Sequence, residues 1–586
     1  MSAWQLPFVR PASLADRHFS TVIVGAGING VGVFRDLSLQ RVDCLIVDKG
    51  DFGAGASSAP SRMIHGGLRY LENGSFSLVA EATRERNLLL RNAPHLVRPL
   101  KTVVPLANFF GGLMSSALKF FCRTPPQRTR GLLAVALGLR LYDILGRRQR
   151  VMPGHRISRV PTNDRGLFRA AIRWTATFFD AWISHPEWLI LELIGDACRD
   201  QPRSAAANYC RVMGCAGNIL TLRDELTGAL VRVTADTVVN ATGAWLDRSA
   251  AVLGGAGPRV MGTKGSHLVL DHPALRDALD GRMAYFEAVD GRVCIVYPFL
   301  DRVLVGSTDI PVEDPDQIVT EPAEVDYLID VLREVFPNMA FGRDNVVYTY
   351  VGVRPLARSD ADKPGQISRD HSVVIDPPNA TRDIPIVGLV GGKWTTFRSL
   401  AEEATTEVLQ LLGRSRTAST ELLPIGGGAD LPADAAATER FIEKMTASGM
   451  GRTRAQNLLA RYGSKALPLA QRLVASGDVL LQHAPDYSAA ELSYLCLETG
   501  VVHLDDLVIR RTLLAIRGLV TDAALAEIAG IAAEALGWNA ARAHKELRTC
   551  ATALRERHNV RLQAVAPDVA PSFDASLMAS SALGQS

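Results

Sequence analysis

The chain has 586 residues, of which 47% are hydrophobic and 21% are charged, and its formal net charge is +3. This length is too great for one ordinary hydrophobic core, so we expect two or three domains. The composition excludes a disordered chain, and the near balance of charge excludes a protein whose overall field attracts nucleic acid.

The N-terminal residues and the cysteines indicate the cellular setting. The first twenty residues carry Arg10, Asp16 and Arg17 and no long apolar run, which argues against a secretory signal peptide. The eight cysteines form no CxxC pair and no His/Cys cluster at zinc spacing, so we expect no metal site and a reduced, cytoplasmic compartment. No unbroken apolar stretch reaches the roughly 20 residues that a membrane-spanning helix needs.

The first predicted strand, residues 21–24, leads into a glycine-rich turn and a helix. Gly25, Gly27 and Gly30 form a GxGxxG pattern, whose glycines allow a tight turn, close approach of a pyrophosphate and close helix–strand packing. The helix N-terminus offers its free N–H groups to the phosphates. A second apolar strand ends at Asp48, where a carboxylate is expected to bind the adenosine ribose. The pattern predicts a dinucleotide site without separating NAD from FAD.

A loop of small residues, 51–61, follows the second strand. Its serines Ser57, Ser58 and Ser61 have hydroxyls that can donate to a phosphate or to a ribitol chain. The small residues around them would let the loop lie against the cofactor. Beyond the loop, residues 81–91 have the pattern of a surface helix.

Residues 109–150 are both apolar and basic. A single acid, Asp143, is outnumbered there by these cations: Lys119, Arg123, Arg128, Arg130, Arg140, Arg147, Arg148 and Arg150. Apolar helices with basic flanks bind the surface of anionic membranes, so we expect membrane association here. The alternative is a buried helix with basic ends.

Two distant segments favour FAD over NAD. Residues 237–243 form a strand that ends in Ala-Thr-Gly at Gly243, as a late strand of FAD-binding folds does, and passes near the dinucleotide again. Residues 385–396 form a strand, a break at Gly391 and Gly392, and a helix start that includes Thr395. A second helix N-terminus there would support negative charge on a reduced flavin.

The alternation of strands and helices predicts an α/β region over residues 18–412. We assign cofactor binding to segments of about 18–100, 187–262 and 345–412, and a mixed-sheet substrate domain to about 101–186 and 263–344. A linker is predicted at 413–437, a helical C-terminal domain at 438–565 and a disordered tail at 566–586. The helices of that domain are expected at 455–462, 488–498, 505–519 and 523–535.

The stretch from Arg62 to Glu72, RMIHGGLRYLE, resembles the signature of the FAD-dependent glycerol 3-phosphate dehydrogenases. Further matches to that family are KGSHLVL (264–270), VGSTD (305–309), YVGVRPL (350–356), ISRD (367–370) and GGKWTTFRSLAE (391–402). The likeness covers most of residues 20–560, including the helical domain. It implies a Rossmann-like FAD-binding fold of the glutathione-reductase and D-amino-acid-oxidase type.

The resemblance also implies a set of substrate residues. A polyol phosphate carries about two negative charges at neutral pH and needs converging cations. Arg354, Arg369 and Lys393 match positions that the family uses around substrate, and Arg69 and Tyr70 match the signature itself. Each cation taken alone could equally be a surface or ion-pair residue.

Oxidation of an alcohol by flavin requires a base for the hydroxyl proton, and histidine suits that task. His65 and His267 lie in the matched motifs. We prefer His267 as the base and assign His65 to the flavin side, with Arg354 acting in catalysis as well as in binding. The reverse assignment, and a structural hydrogen-bonded role for either histidine, are the open alternatives. Thr308 and Asp309 are expected to hold the pocket's strand rather than to react.

One stretch departs from the family pattern. An aromatic–Asp–x–Trp–x–x–Asp–Ala–Arg–Leu stretch is common in the family, whereas residues 179–188 read FDAWISHPEW, and Pro60 interrupts the serine loop. If residues 179–188 touch substrate, the polyol is longer than glycerol or differently phosphorylated, as in erythritol phosphate. The alternative is drift in a structural segment.

The leading hypothesis is FAD-dependent oxidation of sn-glycerol 3-phosphate to dihydroxyacetone phosphate. The hydride would pass to flavin N5, and the electrons to quinone rather than oxygen. The rival hypotheses are an oxidase of amines or amino acids and a non-catalytic protein that binds flavin or membrane. We expect an enzyme peripherally bound at the inner face of the cell membrane, with no nucleic-acid partner; a homo-oligomer is left open.

Overall fold

The structure is a computed structural model that describes residues 8–73, 75–107, 132–147, 151–161, 164, 166–288, 290–358 and 370–563. Within these ranges the side chains of Arg69, Glu72, Asn73 and Ala134 are not described. The predicted tail at 566–586 and most of the basic segment at 109–150 lie outside the described residues.

The described strands fall into two sheets. In chain order they are β1 (His18–Val24), β2 (Cys44–Val47), β3 (Met63–Ile64), β4 (Val97–Leu106), β5 (Arg156–Arg159), β6 (Trp174–Ile183), β7 (Ala205–Ala207), β8 (Cys210–Ala216), β9 (Ile219–Asp224), β10 (Leu230–Asn240), β11 (Val260–Leu270), β12 (Arg282–Glu287), β13 (Val293–Phe299), β14 (Arg302–Gly306), β15 (Ile310–Val312), β16 (Val346–Ala357), β17 (Ser372–Asp376) and β18 (Ile386–Val390).

The described α-helices alternate with the strands in the first part of the chain and follow one another in the last. They are α1 (Ile28–Leu39), α2 (Phe76–Asn92), α3 (Leu132–Leu145), α4 (Pro186–Asp200), α5 (Leu246–Val252), α6 (Pro273–Leu279), α7 (Pro322–Val335), α8 (Phe397–Leu411), α9 (Ala435–Ala447), α10 (Arg452–Tyr462), α11 (Ala466–Ala475), α12 (Ala489–Glu498), α13 (Asp522–Leu536) and α14 (Ala540–His558).

The first sheet has the order β17-β18-β10-β1-β2-β7, with the β8–β9 hairpin attached to β10. Its core strands β18, β10, β1, β2 and β7 are parallel. Val24 pairs with Val47 on one side and with Asn240 on the other, so β1, β2 and β10 end at the same edge. That edge is where ligands bind in open α/β sheets.

The second sheet is mixed and has the order β15-β11-β14-β13-β12-β4-β6-β3, with β16 on β11 and β5 on β6. Strands β3 and β16 belong to this sheet, although segments 18–100 and 345–412 were expected to form the cofactor domain. The reason is pairing: β16 runs antiparallel along the whole of β11, and β3 pairs with β6. The second sheet therefore receives strands from both expected regions.

The C-terminal domain is helical, as predicted, and it packs on the α/β region through a shared apolar core. Trp188 of α4 is almost fully buried and meets Tyr462 of α10 edge to face, with ring centroids 5.0 Å apart. Helices α10, α12 and α13 confirm the helices predicted at 455–462, 488–498 and 523–535. Residues 505–519 are not one α-helix: a π-helical turn, Asp506–Arg511, is followed by turns.

The predicted linker at 413–437 is a packed segment rather than a free tether. Arg416 forms an ion pair with Asp36 of α1 at 2.9 Å. Further along, the backbone N–H of Gly426 donates to Asp196 (3.0 Å) and that of Gly427 donates to Glu192 (2.9 Å). Buried carboxylates of α4 thus hold the glycine turn. The final residues of the expected linker begin α9.

A buried charge network joins the C-terminal domain to the loop after β2. Asp51 is 1% exposed and accepts from Arg510 (2.6 Å) and from both Nη atoms of Arg511 (2.8 Å each). Burial alone would raise the pKa of Asp51, but Arg511 and Arg510 hold it well below its usual range. Arg510 also pairs with Asp506. Because Asp51 opens the serine loop, this network fixes one end of that loop.

No helix within the described ranges is long and apolar enough to cross a membrane.

We predict that Asp51→Asn destabilises the folded protein strongly. The change leaves two buried guanidinium groups short of their counter-charge, a loss that costs about 3–5 kcal/mol when a buried pair is broken. Urea denaturation of the holoprotein measures it. The matched control is Asp505→Asn, since the Asp505 side chain is 33% exposed and pairs with Arg510 at 3.4 Å. Because the Asp505 carboxyl is partly exposed and its contact with Arg510 is longer than that of Asp51, its loss should cost less. Equal losses in the two variants would contradict the assigned role of Asp51.

Candidate active site

A cavity of about 790 Å3 lies at the edge where the parallel strands of the first sheet end, and the second sheet closes its far side. Its lining includes the residues after β1, β2, β10 and β18, together with loop 54–61. From the second sheet, Gly265, His267, Ser307, Gly352 and Arg354 reach the same space. One end of the cavity is thus built from backbone turns and the other from polar side chains.

The glycine turn after β1 is tightly packed. Gly25 has φ +102°, and a Cβ there would lie 2.7 Å from the carbonyl oxygen of Ala241. A Cβ on Gly30 would clash with the carbonyl oxygen of Gly25. On Gly27 it would come within 3.1 Å of Ser57 Oγ. Gly25 and Gly27 line the cavity, whereas Gly30 lets α1 pack closely against Gly25 and Ala241.

Asp48 follows β2 and lines the cavity. Its carboxylate accepts from the backbone N–H of Ala26 (2.8 Å) and of Gly50 (3.0 Å), which fixes its orientation. Burial raises the pKa of Asp48 to about 6 despite these two hydrogen bonds. A carboxylate held in this way next to the glycine turn fits the ribose-binding role predicted for it.

The three serines of the loop have different surroundings. Ser57 Oγ accepts from the N–H of Ile28 at the start of α1 (2.9 Å), which leaves its own proton available to a phosphate. Ser58 does not line the cavity; its hydroxyl donates to the carbonyl of Gly55 (3.0 Å), so the structure does not support the predicted cofactor contact. Ser61 Oγ lies 2.9 Å from His267 Nε2, on the substrate side.

The residues after β10 and β18 complete the dinucleotide end. Gly243, with φ +58°, lines the cavity beside the glycine turn, since Gly25 packs on Ala241 and Thr242. Gly391 and Gly392 have φ of +72° and +93°, and Cβ atoms there would lie 2.8 Å from Asp370 O and 2.7 Å from Asn29 Nδ2. Thr395 lines the cavity next to them. All four positions line the cavity, and cofactor binding by them stays a prediction.

The groups that border the cavity fit the phosphates and the ring of FAD. Two helix N-termini, those of α1 and α8, border it through Ile28 and through the turn at 391–395. Asn29 lines it between them, and its buried Oδ1 has no hydrogen-bond partner among the described residues. Trp394 donates through Nε1 to the carbonyl of Ser57 at 3.2 Å, which ties the second turn to the serine loop. Phosphates and an electron-rich ring would both find donors here.

Arg354 projects from β16 over the second sheet. Its guanidinium donates to Ser307 Oγ (2.8 Å), the carbonyl of Thr308 (3.3 Å) and Asp309 Oδ1 (3.1 Å). A Cβ on Gly265 would clash with the guanidinium, so glycine there makes room for it. Asp309 thus holds the arginine in place, and Thr308 is buried against Glu324, to which its hydroxyl donates (2.6 Å).

His267 lies on β11, directly opposite Tyr350 of β16. It is 1% exposed, and its ring stacks on Tyr350 with centroids 4.8 Å apart and planes 8° apart. Its buried Nδ1 has no hydrogen-bond partner among the described residues. Burial, followed by the nearby charges of Arg354 and Arg62, lowers the pKa of His267 to about 3. The imidazole is therefore neutral and able to accept a proton.

His65, Tyr70 and Lys393 line the cavity together. Lys393 Nζ lies 4.1 Å from the centroid of the Tyr70 ring, and that ring is 6.3 Å from the ring of His65. The peptide N–H after His65 is held in a buried site, because Gly66 N donates to Asp180 Oδ1 (3.0 Å). These residues line the same cavity as Arg354.

Two predicted substrate residues cannot be placed. Arg369 and the side chain of Arg69 lie outside the described part of the structure.

The hypothesis that residues 179–188 shape the substrate pocket is not supported, since none of them lines the cavity. His185 lies 3.0 Å from the carbonyl of Arg510, and Glu187 forms an ion pair with Arg62 at 3.0 Å. This stretch holds the domains together.

Several lining residues were missed by the sequence analysis. Ser307 lines the cavity and Tyr350 packs behind it on His267. Both stand inside the matched motifs VGSTD and YVGVRPL, so the motifs contained the signal. Asn29 lies within the GxGxxG pattern at a variable position. Lys49, Trp245 and Arg248 line the outer end of the cavity and carried no motif. They meet there on the carboxylate of Asp316, which accepts from Lys49 (2.7 Å), Trp245 (2.9 Å) and Arg248 (3.0 Å).

No metal was expected, and one group of side chains in the described residues has metal-ligand spacing. The ligand atoms of Glu81, Asp370 and His371 lie within 4.8 Å of one another. His371 is also 3.3 Å from Glu403, so ion pairs account for the arrangement.

Comparison with known proteins gives consistent results. Residues 20–379 match the family described as FAD dependent oxidoreductase, and residues 418–543 match the C-terminal domain of alpha-glycerophosphate oxidase. The chain is 32% identical to a glycerol-3-phosphate dehydrogenase of Synechocystis sp., over 90% of this chain and 95% of the relative. It is 30% identical to the aerobic glycerol-3-phosphate dehydrogenase of Escherichia coli, over 84% and 93%.

Among solved structures, the glycerol-3-phosphate dehydrogenase of Bacillus halodurans complexed with FAD is similar, with a TM-score of 0.70. The match covers 93% of this chain and 96% of that one at 19% sequence identity, so it establishes the fold.

We predict that Gly30→Ala abolishes FAD binding, because the added methyl group would clash with the carbonyl of Gly25 and displace the phosphate-binding turn. Purified protein should be colourless, and FAD titration should leave flavin fluorescence unquenched. Gly138→Ala is the matched control, since Gly138 also lies in a helix and a Cβ there meets nothing within 4 Å. A yellow Gly30→Ala protein would contradict the assigned turn geometry.

Proposed function

Because the chain belongs to the FAD-dependent oxidoreductases and, within them, to the glycerol-3-phosphate dehydrogenases, we propose that it oxidises sn-glycerol 3-phosphate to dihydroxyacetone phosphate. The observation that carries this proposal is the single cavity with a dinucleotide cradle at one end and Arg354, Lys393 and His267 at the other. Bound FAD would supply the acceptor for the hydride that leaves carbon.

Phosphate recognition falls to Arg354 and Lys393. Three acceptors on the segment 307–309 hold the guanidinium of Arg354, so its planar fork is oriented before substrate arrives. Arginine in this state loses little entropy on binding a phosphate and can donate two parallel hydrogen bonds. Lys393, placed over Tyr70, would add a point charge to the same cavity.

Proton removal falls to His267. Its imidazole is neutral because burial and the two arginines disfavour a further positive charge. A phosphate dianion on Arg354 would offset one of those cations and raise the proton affinity of the ring. The base would thus become effective when substrate is in place. Ser61 Oγ, 2.9 Å from Nε2, fixes the orientation of the ring.

Anaerobic titration tests the reaction directly. Glycerol 3-phosphate should bleach the oxidised flavin band of the holoenzyme, and an erythritol phosphate and an amino acid serve as the comparison arms. Bleaching by erythritol phosphate alone would favour the longer polyol, and bleaching by the amino acid alone would favour an amine oxidase. A flavin that no added substrate reduces would overturn the enzymatic proposal.

Arg354→Lys should raise KM for glycerol 3-phosphate by about ten- to a hundredfold, because hydrogen bonds to charged groups contribute about 1.5–3 kcal/mol. The FAD spectrum should be unchanged, since the guanidinium lies at the substrate end. Steady-state kinetics with an artificial electron acceptor measures the effect. Arg343→Lys is the control, because Arg343 pairs with Asp326 in an exposed ion pair. An unchanged KM would remove Arg354 from the substrate pocket.

The described part of the basic segment supports a peripheral membrane location at the inner face of the cell membrane. Helix α3 buries Leu139 and Tyr142, whereas Leu137 is 70% exposed and Ile144 is 54% exposed. Arg140 is exposed on the same side. An apolar stripe with cations matches an interfacial helix. We further propose quinone as the acceptor, since a membrane surface would give access to it.

Leu137→Glu should reduce binding to vesicles that contain anionic lipid by about tenfold or more, because it exchanges buried apolar area for a repelled charge. Flotation of the holoenzyme with such vesicles measures the bound fraction. Leu497→Glu is the matched control: Leu497 is a helical leucine, 60% exposed, in the C-terminal domain. Equal binding of wild type and Leu137→Glu would contradict the membrane role of α3.

A further inference from the structure

A row of aromatic rings connects the last helix of the C-terminal domain with His267. His558 stacks on Tyr348, with ring centroids 4.7 Å apart and planes 6° apart. Tyr348 lies 6.3 Å from Tyr350, at an interplanar angle of 39°. Tyr350 in turn stacks on His267 at 4.8 Å and 8°. The row therefore crosses from one domain to the candidate base.

Strand β16 sets the spacing of this row. Alternate residues of a strand share a face, so Tyr348, Tyr350, Gly352 and Arg354 lie along one side of β16. Tyr348 and Tyr350 are 3% and 4% exposed. The hydroxyl of Tyr350 donates to the carbonyl of Pro60 (3.0 Å). Tyr350 is thus held at its tip by the serine loop and on its faces by neighbouring rings.

The end of α14 has few ways to move. His558 Nδ1 lies 2.9 Å from the carbonyl oxygen of Thr349 on β16. Asn559 ends the helix in the left-handed conformation, with φ 56°, and the N–H of Val560 donates back to Leu554 (3.0 Å). Arg561 then pairs with Asp344, just before β16 (3.0 Å). The helix end is therefore attached to β16 at Thr349 and, through an exposed ion pair, to the turn that precedes β16.

Rings in a close-packed interior cannot shift singly, because each fills the space that its neighbour leaves. Stacked pairs also prefer particular offsets, so the orientation of one ring constrains the next. Removal of the His558 ring would open space beside Tyr348, and Tyr350 would gain freedom against His267. The plane of the imidazole would then no longer be fixed on that side.

We propose that His558 is a positioning residue for His267 and acts on it through Tyr348 and Tyr350. None of the described residues of the C-terminal domain lines the cavity, so this contact gives the domain a role in the reaction without a catalytic group of its own. The inference rests on the proposed function in one respect, the assignment of His267 as the base.

The test uses the holoenzyme and five variants: three changes of His558, one of His544 and one of the base His267. His558→Ala and His558→Gln both remove the ring, and the second keeps a polar group for the carbonyl of Thr349. His558→Phe restores a ring of similar size. His544→Ala is the matched control on the same helix. His267→Gln assigns the ring signals of His267 among the 12 histidines in spectra of histidine-labelled protein.

Two measurements are made on each variant that retains FAD: the rate of anaerobic flavin reduction at saturating glycerol 3-phosphate, and the positions of the His267 ring signals. His558→Ala and His558→Gln should slow reduction about tenfold, the scale of a small misplacement of a catalytic group, and should shift the ring signals. His558→Phe should restore both, and His544→Ala should match wild type. A merely structural residue would change stability and leave the ring signals in place.

The outcomes separate this inference from the assignment of the base. Wild-type ring signals in both ring-less variants would overturn the role of His558, whatever the rate. If His267→Gln reduces flavin at the wild-type rate, the assignment of His267 as the base is wrong. The row of rings would then have no role in the reaction. If His558→Gln folds and His558→Ala does not, the His558→Gln variant is sufficient for the test, because it also lacks the ring.

Discussion

The structure depends on the close approach of backbone at the ends of β1 and β10. The turn at Gly25 lies so near the carbonyl of Ala241 that even a methyl group would not fit, and Gly30 packs against the carbonyl of Gly25 in the same way. These contacts bring α1 against the first sheet and leave its N-terminus facing open space. A side chain at either glycine would clash with neighbouring backbone, so glycine is what lets this turn form at the edge of the cavity.

A loop of some ten residues then connects this cradle with the other parts of the molecule. It begins at Asp51, which Arg510 and Arg511 hold from the C-terminal domain, and it ends at Ser61, which meets His267 on the second sheet. Within it, Ser57 accepts from the start of α1. The C-terminal domain, helix α1 and the second sheet thus all contact this one short segment. The same loop would therefore position cofactor and substrate relative to each other.

The two sheets contribute different groups to the site, and the reason lies in their geometry. The parallel sheet ends in turns whose backbone N–H groups suit phosphates, whereas the mixed sheet presents side chains from its surface. Arg354 and His267 come from neighbouring strands, β16 and β11, and are therefore fixed by ladder hydrogen bonds rather than by loops. A site on strands holds its groups more rigidly than a site on loops.

The amino-acid sequence by itself determined the elements with local causes: the strand–glycine–helix units at 21–30 and 385–396, the acid at Asp48, the helical C-terminal domain and the family motifs. Spacing along the chain was sufficient for these, because each is formed by neighbours in sequence. Only the tertiary structure decided that Ser58 turns to its own backbone, that Ser61 serves His267, and that residues 179–188 bind the C-terminal domain. It also decided that β16 joins the second sheet. Those outcomes depend on partners far away in the chain, such as Arg510 for His185 and Tyr350 for His267, and no local pattern encodes which distant surface a residue will meet.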